Sequence, residues 1–425
     1  MALEPGRGHD MSSSLALFGG KPLRREPFPP FPVIGDEEIE AVLGVLKSRQ
    51  LSTFHSSFLG GRKVRQFEDE FAEVLGAGYG IACNSGTAAL HMALAAIGLE
   101  PGDEVIVPPY TFTATASAVL MAGGVPVFVD VRESDFNIDP EEAEKAITRR
   151  TKAIIPVHLF GAPAAMDELL DLAGAHSLRI IEDCAQAPAA EFDGRKVGTL
   201  GDLATFSFQE TKNMMTGEGG MVLTDDLDLA ERCRAVRNHG EVLAWGERRK
   251  YRSILLGWNY RMTEIEAALG ICQLARLNGF NQVRIENAAY LTRRLEQTQG
   301  LALPSPSAGD VHVFHIYAFR FLANEVGISR ASFLKALEAE GVPASGGYPR
   351  PLYENPVFKL AGGRNLACPV TERLCATEAV WLQQVRPPAG FAEMEDIASA
   401  ILKVLDHRDA LRTWEEESDQ EGADD

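Results

Sequence analysis

Residues Tyr79–Val131 read YGIACNSGTAALHMALAAIGLEPGDEVIVPPYTFTATASAVLMAGGVPVFVDV. Three short apolar runs, YGIAC, EVIVPP and VPVFVDV, are separated by two small-residue segments of helical length. The runs are too short for buried helices, and the later two are rich in valine, so they read as strands buried on both faces. Strands joined through helices are parallel and cross over right-handedly.

The alternation continues downstream. DPEEAEKAIT opens a helix with Asp139 as cap and Pro140 in its first turn. TKAIIPVH is strand-like, AAMDELLDLAGAH helical and LRIIEDC strand-like again. LATFSF and GGMVLTDD follow with no long helix between them. The pattern predicts an α/β protein with a mainly parallel sheet covered by helices on both faces. Upstream, GDEEIEAVLGVLKSR places Ile39, Val42, Leu43 and Leu46 on one helical face after an Asp36 cap, and RKVRQFEDEFAEVLGAG does the same with Val64, Phe67, Phe71 and Val74. A long helical stretch from Asn259 leads to HVFHIYAFRFL, SRASFLKALEAEG and MEDIASAILKVLD. The expected division is a disordered arm at 1–14, a large domain with an N-terminal helical segment at 15–284, a small α+β domain at 285–408 and an acidic disordered tail at 409–425.

The chain has 425 residues and a formal net charge of −19, the reverse of what phosphate backbones require, so a nucleic-acid partner is not expected. Part of the excess is local, since residues 406–425 hold nine acids against two arginines. The six cysteines form no CxxC pair and stand beside no histidine cluster, so no metal site is expected. Scattered thiols, no signal-like start and no long apolar run lead to the expectation of a cytoplasmic protein.

In open α/β sheets ligands bind beyond the carboxyl ends of strands. The residues there are Asn84-Ser85-Gly86-Thr87-Ala88 after YGIAC, Thr111 and Phe112 after VIVPP, Glu182, Asp183 and Gln186 after LRII, and Ser207 and Lys212 after ATF. A glycine-hydroxyl turn opening a helix suits a phosphate. An aromatic ring covers one face of a heterocycle, and a carboxylate keeps a pyridine nitrogen protonated. A desolvated amine attacks a carbonyl to form a Schiff base. Together they describe a site for pyridoxal 5'-phosphate, with Lys212 as its covalent partner. Taken singly, each has a plainer reading: a surface lysine, a helix-capping Asp183, a core Phe112, or small residues for close packing.

The motifs NSGTAAL, GDEVIVPPYTF, GGVPVFVDV, TKAIIPVHLFG, IEDCAQA, FSFQETKNMMTGEGG and GWNYRMTEIEAALGICQL make the chain resemble the DegT/DnrJ/EryC1/StrS aminotransferases, from Leu17 to about Leu405. The resemblance implies the type I fold of pyridoxal-phosphate aminotransferases, with a seven-stranded type of sheet, and a homodimer with active sites at the subunit interface. It makes Lys212 the Schiff-base lysine, Asp183 the partner of the pyridine nitrogen, Gln186 a neighbour of the ring hydroxyl and Phe112 the stacking residue. Gly86, Thr87, Ala88 and Ser207 become the phosphate site. Asn259 becomes the asparagine that reaches the neighbouring subunit's phosphate. The implied activity is ping-pong transamination from L-glutamate or L-glutamine to a nucleotide-linked keto-hexose or a keto-cyclitol of the scyllo-inosose type. A non-catalytic regulatory relative is the alternative. Many sugar-nucleotide members have histidine directly before the tyrosine equivalent to Tyr348, where this chain has Gly347. His158 in PVHLFG is read either as a supporting residue of the site or as a strand-end histidine bonded to backbone.

Overall fold

The computed structural model describes residues 14–54, 57–241, 251–360 and 364–421. The expected strands form one sheet: β1 (Tyr79–Cys83), β2 (Glu104–Val107), β3 (Val125–Phe128), β4 (Thr151–Ile154), β5 (Arg179–Asp183), β6 (Leu203–Ser207) and β7 (Gly220–Thr224), in the order β1-β7-β6-β5-β4-β2-β3. Strands β6, β5, β4, β2 and β3 run parallel. Strand β7 is antiparallel to both β6 and β1, because LATFSF and GGMVLTDD lack the crossover helix that parallel neighbours need. A two-residue strand not expected from the sequence, Arg364–Asn365, extends the sheet in parallel along the outer edge of β3.

Among the described residues eight α-helices precede residue 296: α1 (Asp36–Ser48), α2 (Arg62–Leu75), α3 (Gly86–Ala96), α4 (Ala114–Met121), α5 (Pro140–Ala146), α6 (Met166–His176), α7 (Leu227–Arg237) and α8 (Glu264–Leu295). Ile81, Val105, Val107 and Ile181 pack with α3, α4 and α7 on one face of the sheet. On the other, Ala82, Phe206 and Leu223 meet α2 and α8, while Ile106, Val127 and Ile154 meet α5 and α6. Alternate residues of each strand are therefore buried on opposite faces, which is why the strand sequences are almost wholly apolar.

A second unit has an antiparallel sheet of Leu301–Ala302, Tyr317–Phe321 and Ala379–Leu382, packed with helices Arg330–Ala339 and Phe391–Asp406. The expected cut between residues 284 and 285 is not a clean one. Helix α8 runs through it. Leu15 is buried in the core of the second unit, and Glu340 there accepts the N–H groups of Ala16 at 2.8 Å and Leu23 at 3.0 Å. Residues 15–23 thus pack on the unit built from the far end of the chain. Conversely, Asp130 of the large unit accepts the N–H groups of Val370 and Thr371 at 2.8 and 2.9 Å.

Two further expectations are corrected. The acidic segment after residue 408 is a helix, Arg408–Glu421. Leu411 is buried, the Trp414 ring lies 6.4 Å from that of Phe18 with the Lys335 ammonium 4.5 Å above it, and Glu415 accepts the Ser329 N–H at 2.9 Å. An apolar pair at i,i+3 holds the turn that composition alone assigned to solvent. The cap of α1 is Gly35, whose N–H is bonded by Glu38 at 2.8 Å, and Asp36 is already helical. Glu38 also binds Gln273 and Arg276 of α8, so α1 packs through a polar edge. Of the apolar face read from the sequence, Ile39, Leu43 and Leu46 are exposed and Val42 is half-buried. The arm at 1–13 lies outside the described residues. Among the described residues no helix is long and apolar enough to cross a membrane.

Candidate active site

Glu182 and Asp183 end β5 with side chains on opposite faces of the sheet. Asp183 is 4% exposed, and its Oδ2 accepts the Thr115 hydroxyl at 2.9 Å. Its Oδ1 accepts the Ala185 N–H at 3.2 Å. Burial pushes its carboxyl above the usual range, against the pull of these two donors and of the Lys212 charge. Thr115 in turn meets Thr111 at 3.2 Å, one helical turn back. Sequence reading missed Thr115; its signal was a hydroxyl four residues after Thr111 on the helix that begins at the β2 edge.

Lys212 sits in the turn beyond β6, where its N–H bonds the Gln209 carbonyl at 2.9 Å. Its side chain is partly exposed, as a cleft wall is, yet burial of the ammonium lowers its pKa to about 8, the Asp183 charge opposing. At neutral pH a far larger fraction of this amine is unprotonated than of an ordinary lysine.

The first turn of α3 opens from β1 directly beside β6. A Cβ on Gly86 would lie 2.7 Å from the Ser207 Cβ, so this approach requires glycine. Ser85 caps the helix, its hydroxyl accepting the Ala88 N–H at 3.1 Å and its carbonyl the Ala89 N–H at 3.0 Å. Ala88 is therefore already engaged, and the turn offers a ligand the N–H groups of Gly86 and Thr87, which meet no acceptor among the described residues. Phe112, 59% exposed, stands at the β2 edge as an uncovered ring.

Gln186 accepts the Phe160 N–H at 2.7 Å through Oε1 and lies beside the buried Tyr348 hydroxyl. Asn259 is exposed, its carbonyl within 3.4 Å of the Asn84 amide of the same chain. His158 is bonded to backbone, as the plainer reading has it, and also to a carboxylate on the sheet face opposite Asp183. Its Nδ1 accepts the Ala164 N–H at 3.0 Å, so Nε2 carries the proton it gives Glu182 at 3.0 Å. Glu182 also accepts the N–H groups of Gly198, Leu200 and Gly201 at 2.7–2.8 Å. Burial would raise Glu182, but His158 and these N–H groups outweigh it and hold the carboxyl below the usual range. His158, Glu182 and Cys184 lie close enough for a metal, yet the His158 nitrogens and both Glu182 oxygens are already bonded.

These features fit pyridoxal phosphate on physical grounds. One buried carboxylate lacks a full set of donors and would be relieved by a protonated ring nitrogen. One amine is held near neutrality, two unbonded N–H groups open a helix, and a ring stands uncovered at the cleft.

Comparison with known proteins agrees with this geometry. The family model of the DegT/DnrJ/EryC1/StrS aminotransferase family matches residues 32–401. A UDP-N-acetyl-3-dehydro-alpha-D-glucosamine 3-aminotransferase of Acidithiobacillus ferrooxidans is 40% identical over 82% of this chain and 90% of its own. A putative L-glutamine:3-amino-2,3-dideoxy-scyllo-inosose aminotransferase of Micromonospora echinospora is 35% identical over 95% and 99%. The crystal structure of an aminotransferase from Psychrobacter cryohalolentis superposes with a TM-score of 0.81 at 36% identity, covering 88% of this chain and 98% of that one. Fold, site chemistry and kinship converge: the chain belongs to the DegT/DnrJ/EryC1/StrS family and is a pyridoxal-phosphate-dependent aminotransferase acting in amino-sugar or aminocyclitol chemistry.

Proposed function

We propose that the enzyme moves an amino group from L-glutamine or L-glutamate to the ketone of a keto-cyclitol of the scyllo-inosose type. Bound pyridoxal phosphate supplies the electron sink for the carbon that loses its proton. Asp183 holds the ring nitrogen protonated, with Thr115 fixing the carboxylate. Gly86, Thr87 and Ser207 would bind the cofactor's phosphate, Phe112 would cover its ring, and Gln186 would serve its ring hydroxyl. Lys212 is the covalent anchor. With the cofactor bound and the amine freed by the donor, Lys212 would take up the proton of the donor α-carbon and hand it back, acting as base and then as acid. A pKa of about 8 suits both directions of that transfer.

The observation that carries the choice of acceptor is Gly347, at φ +75°, where a Cβ would lie 2.5 Å from the Trp381 indole. The indole stands beside Tyr348, 4.8 Å between ring centroids, in the space that any side chain at position 347 would enter. The near end-to-end match to the Micromonospora protein supports the same acceptor class. A nucleotide-linked keto-hexose is the second reading, favoured by the higher identity to the Acidithiobacillus enzyme. We also propose a cytoplasmic homodimer with shared sites, in which the exposed Ile39, Leu43, Leu46 and Leu256 are covered and Asn259 serves the partner's phosphate site.

The test is a half-reaction. Cofactor-loaded protein is mixed with each amino acid, and loss of the visible absorption band is followed. Its recovery is then measured with scyllo-inosose and with a UDP-linked keto-hexose. Recovery with the nucleotide sugar alone overturns the cyclitol assignment. No bleaching by either amino acid leaves the non-catalytic regulatory reading.

A further inference from the structure

Arg330 opens the helix Arg330–Ala339, at the end where the helix dipole disfavours a cation. It is half-buried, and among the described residues it pairs with no carboxylate. Its guanidinium instead meets five backbone carbonyls. One terminal nitrogen donates to Gly346 at 3.1 Å, Leu374 at 3.2 Å and Ala379 at 3.0 Å. The other donates to Cys375 at 2.9 Å and Ala376 at 2.8 Å. Leu374–Glu378 is a single wide turn of π-helix, an irregularity that recurs at functional sites. A Cβ on Gly346 would lie 3.0 Å from the guanidinium carbon, so glycine permits this approach.

The five carbonyls belong to two pieces of chain that meet at Tyr348. Gly346 stands two residues before Tyr348, and Ala379 two residues before Trp381. Ser345 and Trp381 exchange backbone bonds at 2.8 and 3.2 Å. The Tyr348 ring meets the Trp381 indole edge-on, and the Tyr110 ring at 5.3 Å. The Tyr348 hydroxyl reaches the Gln186 side chain, and the Asp183 charge acts on it. A line of contacts thus runs from Arg330 through Gly346 and Tyr348 to Gln186 and Asp183.

We propose that Arg330 is a positioning residue for the acceptor: it fastens the Gly346 loop to the π turn and to Ala379, and so sets where Tyr348 and Trp381 stand against Gln186. Its terminal nitrogens spread their N–H groups in one plane, whereas a lysine ammonium offers three from a point and would reach fewer of the carbonyls. The inference rests on the reading above, in which Gly347, Tyr348 and Trp381 select the ketone.

Cofactor-loaded wild type, Arg330→Met and Arg330→Lys are compared in the two half-reactions. The scyllo-inosose concentration that half-restores the band should rise about tenfold in Arg330→Met and less in Arg330→Lys, while the half-bleaching concentration of the amino acid stays within about twofold. A general loss of stability would move both. Amide hydrogen exchange, followed by mass spectrometry on the same proteins, should quicken about tenfold in peptides spanning 344–348 and 379–382 and not in strands β1–β7. If Arg330→Met does not fold, Gly346→Ala reads the same contact, because its Cβ presses on the guanidinium carbon. Equal rises for acceptor and donor, or no rise for the acceptor, overturn the proposal. Should the UDP-linked keto-hexose restore the band in wild type and scyllo-inosose not, the cyclitol reading falls and the same split is read with the nucleotide sugar. Should neither ketone restore it, the acceptor reading falls and exchange alone decides: quickened peptides uphold the fastening, unchanged ones overturn it.

Discussion

Glu182 and Asp183 are successive residues of one strand, both almost wholly buried, and they behave oppositely. Glu182 faces the α2, α5 and α6 side, where His158 and three backbone N–H groups satisfy both oxygens, and it is held ionised more firmly than a free carboxylate. Asp183 faces α4 with two donors, and burial wins. The same strand end thus carries a structural anchor and a reactive group. What separates them is how many donors the surrounding loops supply. A carboxylate left short of donors is one prepared for an incoming cation.

The largest effect should come from removing the cation's side of the reactive pair. Lys212→Ala should lower transamination by about 10⁴-fold, abolish the visible absorption of the lysine-bound cofactor and leave the melting temperature of cofactor-free protein unchanged or higher. Retention of the band would detach Lys212 from the chemistry. Asp183→Asn should lower the half-reaction rate by about 10²-fold without loss of stability, because it removes a buried charge that is poorly solvated. Glu182→Gln should do the converse. It turns an acceptor into a donor facing the Gly198 N–H or His158, and should cost about 2–3 kcal/mol in urea unfolding. If Asp183→Asn unfolds the protein and Glu182→Gln does not, the contrast between the two carboxylates is wrong.

The last effect is a pH slope. The folded pKa of Lys212, about 8, lies below its unfolded value of about 10.4. Between them the unfolded chain binds the extra proton, so stability rises with pH through that window, and the penalty is fully present below it. Cofactor-free wild type should therefore gain stability between pH 8 and 10 relative to Lys212→Met. Parallel curves for the two would contradict the burial of the amine.

The sheet and the Lys212–Asp183 pair were legible because they are local. Each strand announces itself as a short apolar run, and each polar residue at its end is fixed by the strand before it. The terminal helix was hidden by its acids, although Leu411 and Trp414 carried the signal. Period also found the apolar stripe of α1, but period does not tell which stripe the chain itself covers. Gly347 was visible as a departure; its cause, the Trp381 indole, belongs to a strand that sequence spacing does not pair with it.

The pairing of Arg364–Asn365 with the outer edge of β3 has a consequence for synthesis. Between Phe128 and Arg364 the chain runs 236 residues (364 − 128). At about 5–20 residues per second, a nascent chain leaves that β3 edge unpaired for roughly 10–50 s. Through that interval an apolar strand edge is available to any neighbour on the polysome. Chaperone demand during translation should therefore end only when the last seventh of the polypeptide emerges.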